Sequence, residues 1–305
     1  MAKAAWKFLI STSLVAGMSA ITAASSFAAS LTNPTVSGTA GTDYYLYKQV
    51  GNHTVRDNSA SLSTVLDGSA LNPTGNVELF ANSETSLYTT PLSPVGLTNF
   101  KTAPITSLTG SLFGMNLILS SLNGADWFTT KSGTYDTTYG ADNLANRWFK
   151  DVLTANGFSS VVDTFGLTIY NTGLNSGLFQ RFSDPNVSYV NQDTATSDIK
   201  IGLAGHFDAK TLLLKGLPSS VVKSVFDTKA LQASEVIKVA YGGVTQYKYS
   251  FSATGSGLTA ADDGISHNGN YELTVQPVPE PATILGLALG ASGLFAAKRK
   301  RTKTA

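Results

Sequence analysis

Three histidines, His53, His206 and His267, stand in a chain of 305 residues that contains no cysteine. The absence of cysteine excludes disulfides, thiolate metal sites and a cysteine nucleophile. None of the three histidines occurs in a His-x-Glu or His-x-x-x-His spacing, so a helical zinc site is not supported. The most distinctive setting is Gly202-Leu203-Ala204-Gly205-His206-Phe207-Asp208. A histidine close to an aspartate can serve as base and orienter beside a serine. No Gly-x-Ser-x-Gly elbow accompanies it, however. The same residues also read as a glycine turn followed by Asp208 capping a helix that starts near Ala209. A second cluster runs Asp262-Asp263-Gly264 and His267-Asn268-Gly269-Asn270. Asp262, Asp263 and Asn268 could offer oxygens to a calcium ion. The alternating carboxylates and distal glutamate of an EF-hand are missing, and turn chemistry explains Asp-Gly and Asn-Gly without a metal. No catalytic residue and no cofactor are assigned on this basis.

The elements that would position these groups read as an α+β body, rich in antiparallel strands with a few helices, over residues 29–277 as one domain or two. Residues 30–42, rich in Ser, Thr, Gly and Pro, read as a loop. Tyr44, Tyr45 and Tyr47 open a strand. A short helix is expected over 59–67, with Leu62, Val65 and Leu66 on one face. Residues 81–104 look irregular. Residues 111–122 read as one strand closed by Asn123-Gly124. The clearest helix covers 143–156, where Leu144, Trp148 and Val152, with Phe149 and Leu153, form one apolar stripe. Asp142 is its expected cap and Gly157 its stop, and Arg147 can pair with Asp151 four residues on. Ser183-Asp184-Pro185-Asn186 signals a turn, and a further helix is expected over 218–227. Residues 234–241 and 244–251 form a hairpin around Gly242-Gly243. A three-residue loop pairing Ala240 with Val244 is the expected register, because it gathers Ile237, Val239, Tyr247, Tyr249 and Phe251 on one face. A last strand, 271–275, runs straight into the C-terminal region.

The two ends of the chain are written differently from this body. Lys3 and Lys7 precede an apolar run from Phe8 to Ile21, and Ser26 and Ala28 supply a small-x-small pattern. This predicts a signal peptide over 1–28, cut by signal peptidase after Ala28. At the other end, Ala282 to Ala297 is a run of sixteen uncharged residues. As a helix it would be about 24 Å long, short against a hydrocarbon core of about 30 Å. Lys298 can snorkel outward to extend it, and Lys298, Arg299, Lys300 and Arg301 would hold that end in the cytoplasm. Within the tail over 278–305, residues 282–297 are thus predicted to be one transmembrane helix in the inner membrane, followed by a basic tail over 298–305. Gly286 and Gly290 offer a small face to another helix. In front stands Val278-Pro279-Glu280-Pro281, whose prolines keep an extended peptide at the membrane edge.

Pro-Glu-Pro, a short apolar helix and a basic end, in this order and behind a signal peptide, resemble the PEP-CTERM sorting signal of Gram-negative bacteria. The resemblance implies recognition by exosortase, an integral-membrane cysteine peptidase, removal of the tail, and passage of the body to the cell surface, outer membrane or extracellular space. It also implies an association with exopolysaccharide and biofilm. Residues 179–192, 201–209 and 249–272 resemble stretches that recur in one subset of such proteins, a subset from which no activity can be carried over.

Charge narrows the partners further. Of 21 Lys+Arg, two lie in the predicted signal and five in the tail, leaving 14; of 20 Asp+Glu, Glu280 lies in the tail, leaving 19. The body therefore carries 14 − 19 = −5, which argues against nucleic acid. The expectation is a non-enzymatic binding or structural component of the surface or matrix. The alternatives are a secreted hydrolase of matrix polymers and a plain single-pass anchored periplasmic protein.

Overall fold

The computed structural model describes residues 27–80, 99–112, 114–193, 196–227 and 229–276. The first part comprises β1 (Phe27–Ser30), β2 (Thr32–Val36), β3 (Tyr44–Val50), β4 (His53–Arg56), the one-turn helix α1 (Leu62–Val65) and β5 (Gly75–Leu79). The hairpin β6 (Ser107–Leu112) and β7 (Met115–Ser120) leads through α2 (Gly124–Trp127) to the ribbon β8 (Thr130–Lys131) and β9 (Thr134–Tyr135). Three helices follow: α3 (Leu144–Ala155), α4 (Ser159–Asn175) and α5 (Leu178–Arg181). The strands β10 (Asn186–Asp193) and β11 (Ile199–Gly205) precede α6 (Lys210–Leu213) and α7 (Ser219–Phe226). The last strands are β12 (Ile237–Tyr241), β13 (Val244–Lys248), β14 (Ala253–Gly255), β15 (Thr259–Ala260) and β16 (Gly269–Val275).

These strands build a nine-stranded sheet in the order β14-β16-β11-β10-β5-β3-β4-β15, with β1 added to β10, and a five-stranded sheet β13-β12-β7-β6-β2. Among the described residues every strand pair is antiparallel except β15 on β4. The two sheets share an aliphatic core. Leu46, Val77, Ile199, Ile201, Leu203 and Leu273 enter it from the larger sheet, and Leu108, Leu117, Leu119, Ile237 and Val239 from the smaller. The period-two alternation of these side chains fixes which face of each strand enters this core, while β10 and β5 are buried on nearly every residue.

A second core is aromatic and mostly helical. Trp127 meets Trp148 edge-on at 5.6 Å, Trp148 lies 4.7 Å from Phe182, and Phe149 meets Tyr170 at 5.3 Å. Such tilted pairings satisfy the ring quadrupoles while burying large surfaces. The stripe expected on α3 forms one wall, with Leu144, Trp148, Phe149, Val152 and Leu153 all buried. Its N-cap is Asn143, whose Oδ1 accepts from Asn146 N at 2.9 Å, rather than Asp142. Asp142 pairs instead with Arg147 at 3.2 Å, and the expected partner Asp151 accepts from the Tyr249 hydroxyl.

Several local expectations are corrected by pairing partners far away in sequence. Residues 30–42 do not run free, because β2 finds β6 and β1 finds β10. Residues 111–122 are not one strand: Gly114 adopts φ +76, and the chain turns there between β6 and β7. The segment 202–205 is not a glycine turn but the end of β11, held between β10 and β16. The β12–β13 hairpin pairs Tyr241 with Val244 and Ile237 with Lys248, across a two-residue turn. Both turn glycines have positive φ, +58 and +80, which matches the strand twist as a primed turn does. The three-residue loop was expected on the assumption of a single buried face. In fact both faces are covered: Ile237 and Val239 enter the aliphatic core, while Tyr247, Tyr249 and Phe251 pack against the aromatic one. The longest helix, α4, has no counterpart in the sequence reading. Phe165 and Leu167 are about half exposed on it, at 52% and 56%, while Ile169 and Tyr170 are buried, and this scatter blurs its apolar period.

Among the described residues no helix is long and apolar enough to cross a membrane. The predicted span 282–297, the sorting motif 278–281, the basic residues 298–301 and most of the predicted signal peptide lie outside the described residues, as does 81–98.

Candidate functional site

Neighbouring strands β11, β10, β5 and β3 end together at one edge of the nine-stranded sheet. Asn186 pairs with Ala204 on one side and Glu78 on the other, and Glu78 pairs with Tyr45. Beyond this row a cleft of about 330 Å³ opens. The segment 206–212, which includes the start of α6, the segment 260–267 from the end of β15, and the last residue of α5 complete its walls. Carboxylates crowd it: Glu78, Asp184, Glu235, Asp262 and Asp263 all line it, against the single guanidinium of Arg181 and the imidazoles of His206 and His267.

Most of these groups are pinned by the protein itself. Tyr47 donates its hydroxyl to Glu78 Oε2 at 3.1 Å. Glu235 receives Asn186 twice, from the backbone N–H at 2.9 Å and from Nδ2 at 3.3 Å. Arg181, buried, donates to Ser176 O and, at 2.9 Å, to Leu212 O. The first of these carbonyls lies just past the end of α4, where the helix dipole favours a positive charge, and the second belongs to α6. The loop carrying His206 is anchored by Tyr271, whose hydroxyl donates to His206 O at 2.6 Å.

Asp263 accepts from Ile265 N at 2.8 Å and Ser266 N at 2.9 Å, and it also takes the Ser266 hydroxyl. Burial acts to raise its pKa. These hydrogen bonds and the charge of His206 outweigh burial and hold the carboxyl below its ordinary value. An ionised carboxylate only accepts, so the one hydroxyl proton of Ser266 is committed to Asp263. His206 Nε2, 3.2 Å from the same oxygen, must then be the donor in that contact. The imidazole is therefore not arranged as a base toward Ser266, and this Ser–His–Asp group lacks the order of a nucleophilic triad.

The residues singled out from the sequence separate into three groups. His206, His267, Asp262 and Asp263 do meet in the cleft. Asp208 and Asn268 act behind it: Asp208 Oδ1 accepts from Lys210 N and Leu231 N, and Asn268 Oδ1 accepts from Phe207 N at 2.6 Å. The expected cap at Asp208 is thus a turn bond to Lys210, and the pairing of His206 with Asp208 is not assembled. His53 lies apart, with Nδ1 3.1 Å from Thr259 Oγ1. Among the described residues no group of three or more His, Asp and Glu side chains is arranged to hold a metal ion. Glu78 and Glu235 were not legible as site residues, since they lie far from the rest in the chain, while Arg181, Asp184 and Asn186 fall within the stretch 179–192 and its turn at 183–186 but carried no assigned role.

Ala28 sits within β1, whose Phe27 and Ala29 pair with Asp193 and Gln192. The remaining predicted functional residues belong to the C-terminal tail, and there comparison with known families is decisive. Residues 277–301 match the PEP-CTERM protein-sorting motif. No curated protein and no solved structure matches the chain. The match spans the Pro-Glu-Pro tripeptide, the apolar run and the basic residues through Arg301, and the chain is a PEP-CTERM domain-containing protein, exported and sorted by exosortase toward the surface of a Gram-negative-type cell.

Proposed function

We propose that the exported body is a non-enzymatic binding component of the cell surface or extracellular matrix, and that the cleft takes a segment of exopolysaccharide. The carrying observation is the composition of that cleft. Fixed carboxylate and amide groups offer a fence of acceptors and donors suited to sugar hydroxyls. At its mouth Ile265 is 53% exposed, and Phe207, next in sequence to His206, is 38% exposed, so apolar surface lies beside the polar fence. Sugar rings carry the same division between a C–H face and a hydroxyl edge, and aromatic rings stack on the former. Five carboxylates against one guanidinium favour a neutral or amine-bearing polymer over a uronic acid.

A non-catalytic role is supported by the commitment of Asp263, Ser266, Glu235 and Glu78 to bonds within the protein. The test is co-sedimentation of the processed protein with exopolysaccharide from the producing cells. Binding that falls at least about tenfold in Asp262→Ala or Phe207→Ala, a loss of about 1.4 kcal/mol, supports the reading. Absence of binding removes it, and release of soluble oligosaccharide turns it into the hydrolase reading. Before processing, the tail acts as a transient inner-membrane anchor, with signal peptidase acting at Ala28.

A further inference from the structure

The two ends of the body meet at one end of the nine-stranded sheet. Ala29 pairs with Gln192, Gln192 with Ile199, and Ile199 with Val275, so the four residues form one cross-strand row through β1, β10, β11 and β16. Three interstrand steps place Ala29 about 14 Å from Val275. Ala29 is the first residue after the predicted signal-peptide cut, and Val275 stands four residues before Pro279. The cleft lies at the opposite end of the same strands. The row that borders it runs Tyr45, Glu78, Asn186, Ala204 and Asn270. Along β11 (Ile199 to Ala204) and along β16 (Asn270 to Val275) the two rows are five residues apart, which is about 17 Å.

We propose that before processing the body stands on the outer face of the inner membrane on this Ala29–Val275 end, with both tethers beneath it and the acidic cleft facing away from the lipid. The orientation rests on the reading of both chain ends as membrane segments. Only Gln276, Pro277 and Val278 separate Val275 from Pro279, a reach of at most about 14 Å. Val275 is buried, and β16 pairs with β11 along its full length from Gly269 to Val275. This end of the sheet cannot swing away from the sorting motif without unzipping that pairing. Two attachments side by side also resist tipping better than one.

The charges at this end indicate what happens afterward. Asp193 and Asp198 sit at the turn between β10 and β11, joined by the bond from Asp193 N to Asp198 O at 2.9 Å. Lys200 is engaged by Glu272 at 3.5 Å and Thr274 at 2.9 Å. Such a surface is not attracted to anionic headgroups. Attachment therefore depends on the tethers, and the body leaves the membrane once both are cut.

The cysteine-free chain allows a direct test with single-cysteine variants. Thr196→Cys marks the β10–β11 turn and Ala261→Cys marks the cleft end. The purified, unprocessed full chain carrying a dye at either position is reconstituted into vesicles containing a headgroup-quencher lipid. Quenching several-fold stronger at 196 than at 261 is expected. Equal or reversed quenching in vesicle-bound protein overturns the orientation and leaves anchoring intact. Protein that washes off the vesicles in carbonate overturns the anchoring reading, and the orientation with it.

Discussion

The imidazole of His267 holds its Nδ1 2.7 Å from the hydroxyl oxygen of Thr54, a residue 213 positions earlier in the chain. Asn76 Nδ2 lies 3.3 Å from the same nitrogen, and Tyr47 meets the ring edge-on at 4.9 Å. One buried side chain thus joins the loop before β16 to β3, β4 and β5, and it forms part of the floor on which the cleft is built.

That ring makes stability depend on pH. Burial, the dominant influence, lowers the His267 pKa from 6.5 to about 4; Asp263 and Asp262 act to raise it, and His206 acts to lower it. The folded protein therefore holds the neutral ring, while the unfolded chain takes up a proton below pH 6.5. Stability contributed here is complete above about pH 6.5 and is lost as pH falls toward 4, by about 3 kcal/mol for the full shift. Denaturant titrations at pH 7 and pH 4.5 should show the loss. His267→Asn, which accepts the observed φ of +63, should make the two titrations more alike.

Asp126 is the junction between α2 and the β12–β13 hairpin. Its Oδ1 accepts from Lys238 Nζ at 2.9 Å and from the Tyr247 hydroxyl at 2.8 Å, and its Oδ2 accepts from Asn123 N at 3.1 Å as part of a capping box. Asp126→Ala should cost about 2 kcal/mol, since it strips partners from a half-buried cation and a hydroxyl at once. Asp126→Asn, which keeps the shape, should cost less. Urea midpoints of the three proteins decide the order, and equal midpoints would dismiss the junction.

At Gly269 the backbone of β16 packs directly against the His206 loop. A Cβ there would lie 2.8 Å from Phe207 N and 2.9 Å from Phe207 Cα, both backbone atoms. Gly269→Ala should therefore destabilise the protein by about 1–3 kcal/mol and displace the loop. Amide exchange at Phe207 should quicken more than at the centre of β11. Unchanged exchange at Phe207 would show that the neighbouring backbone yields freely.

The sorting tripeptide should act as a linear peptide. Replacing Pro279, Glu280 and Pro281 by alanine is expected to leave the tail on the protein, so that mass spectrometry of its C-terminus still finds Lys298 to Arg301. A trimmed C-terminus in that variant would remove the tripeptide from the recognition step. An untrimmed C-terminus in the unaltered protein would instead favour a plain anchor.

What the sequence alone determined are features read by near neighbours. The Pro-Glu-Pro tail is legible because the motif it matches is one contiguous stretch, residues 277–301. Helix α3 is legible because its stripe and its stop at Gly157 lie within fourteen residues, and the last strand because Tyr271, Leu273 and Val275 alternate into one core. Tertiary structure alone decided the register of β12–β13, since Tyr247 and Tyr249 are drawn to an aromatic core on the face opposite Ile237 and Val239. It also decided that residues 27–36 form strands, because their partners β10 and β6 lie some 70 to 165 positions away. The cleft belongs to the same class. Glu78, Arg181, Glu235 and Asp263 share no local pattern, and they converge only because long-range strand pairing brings the ends of β3, β5, β10 and β11 to one edge of a sheet.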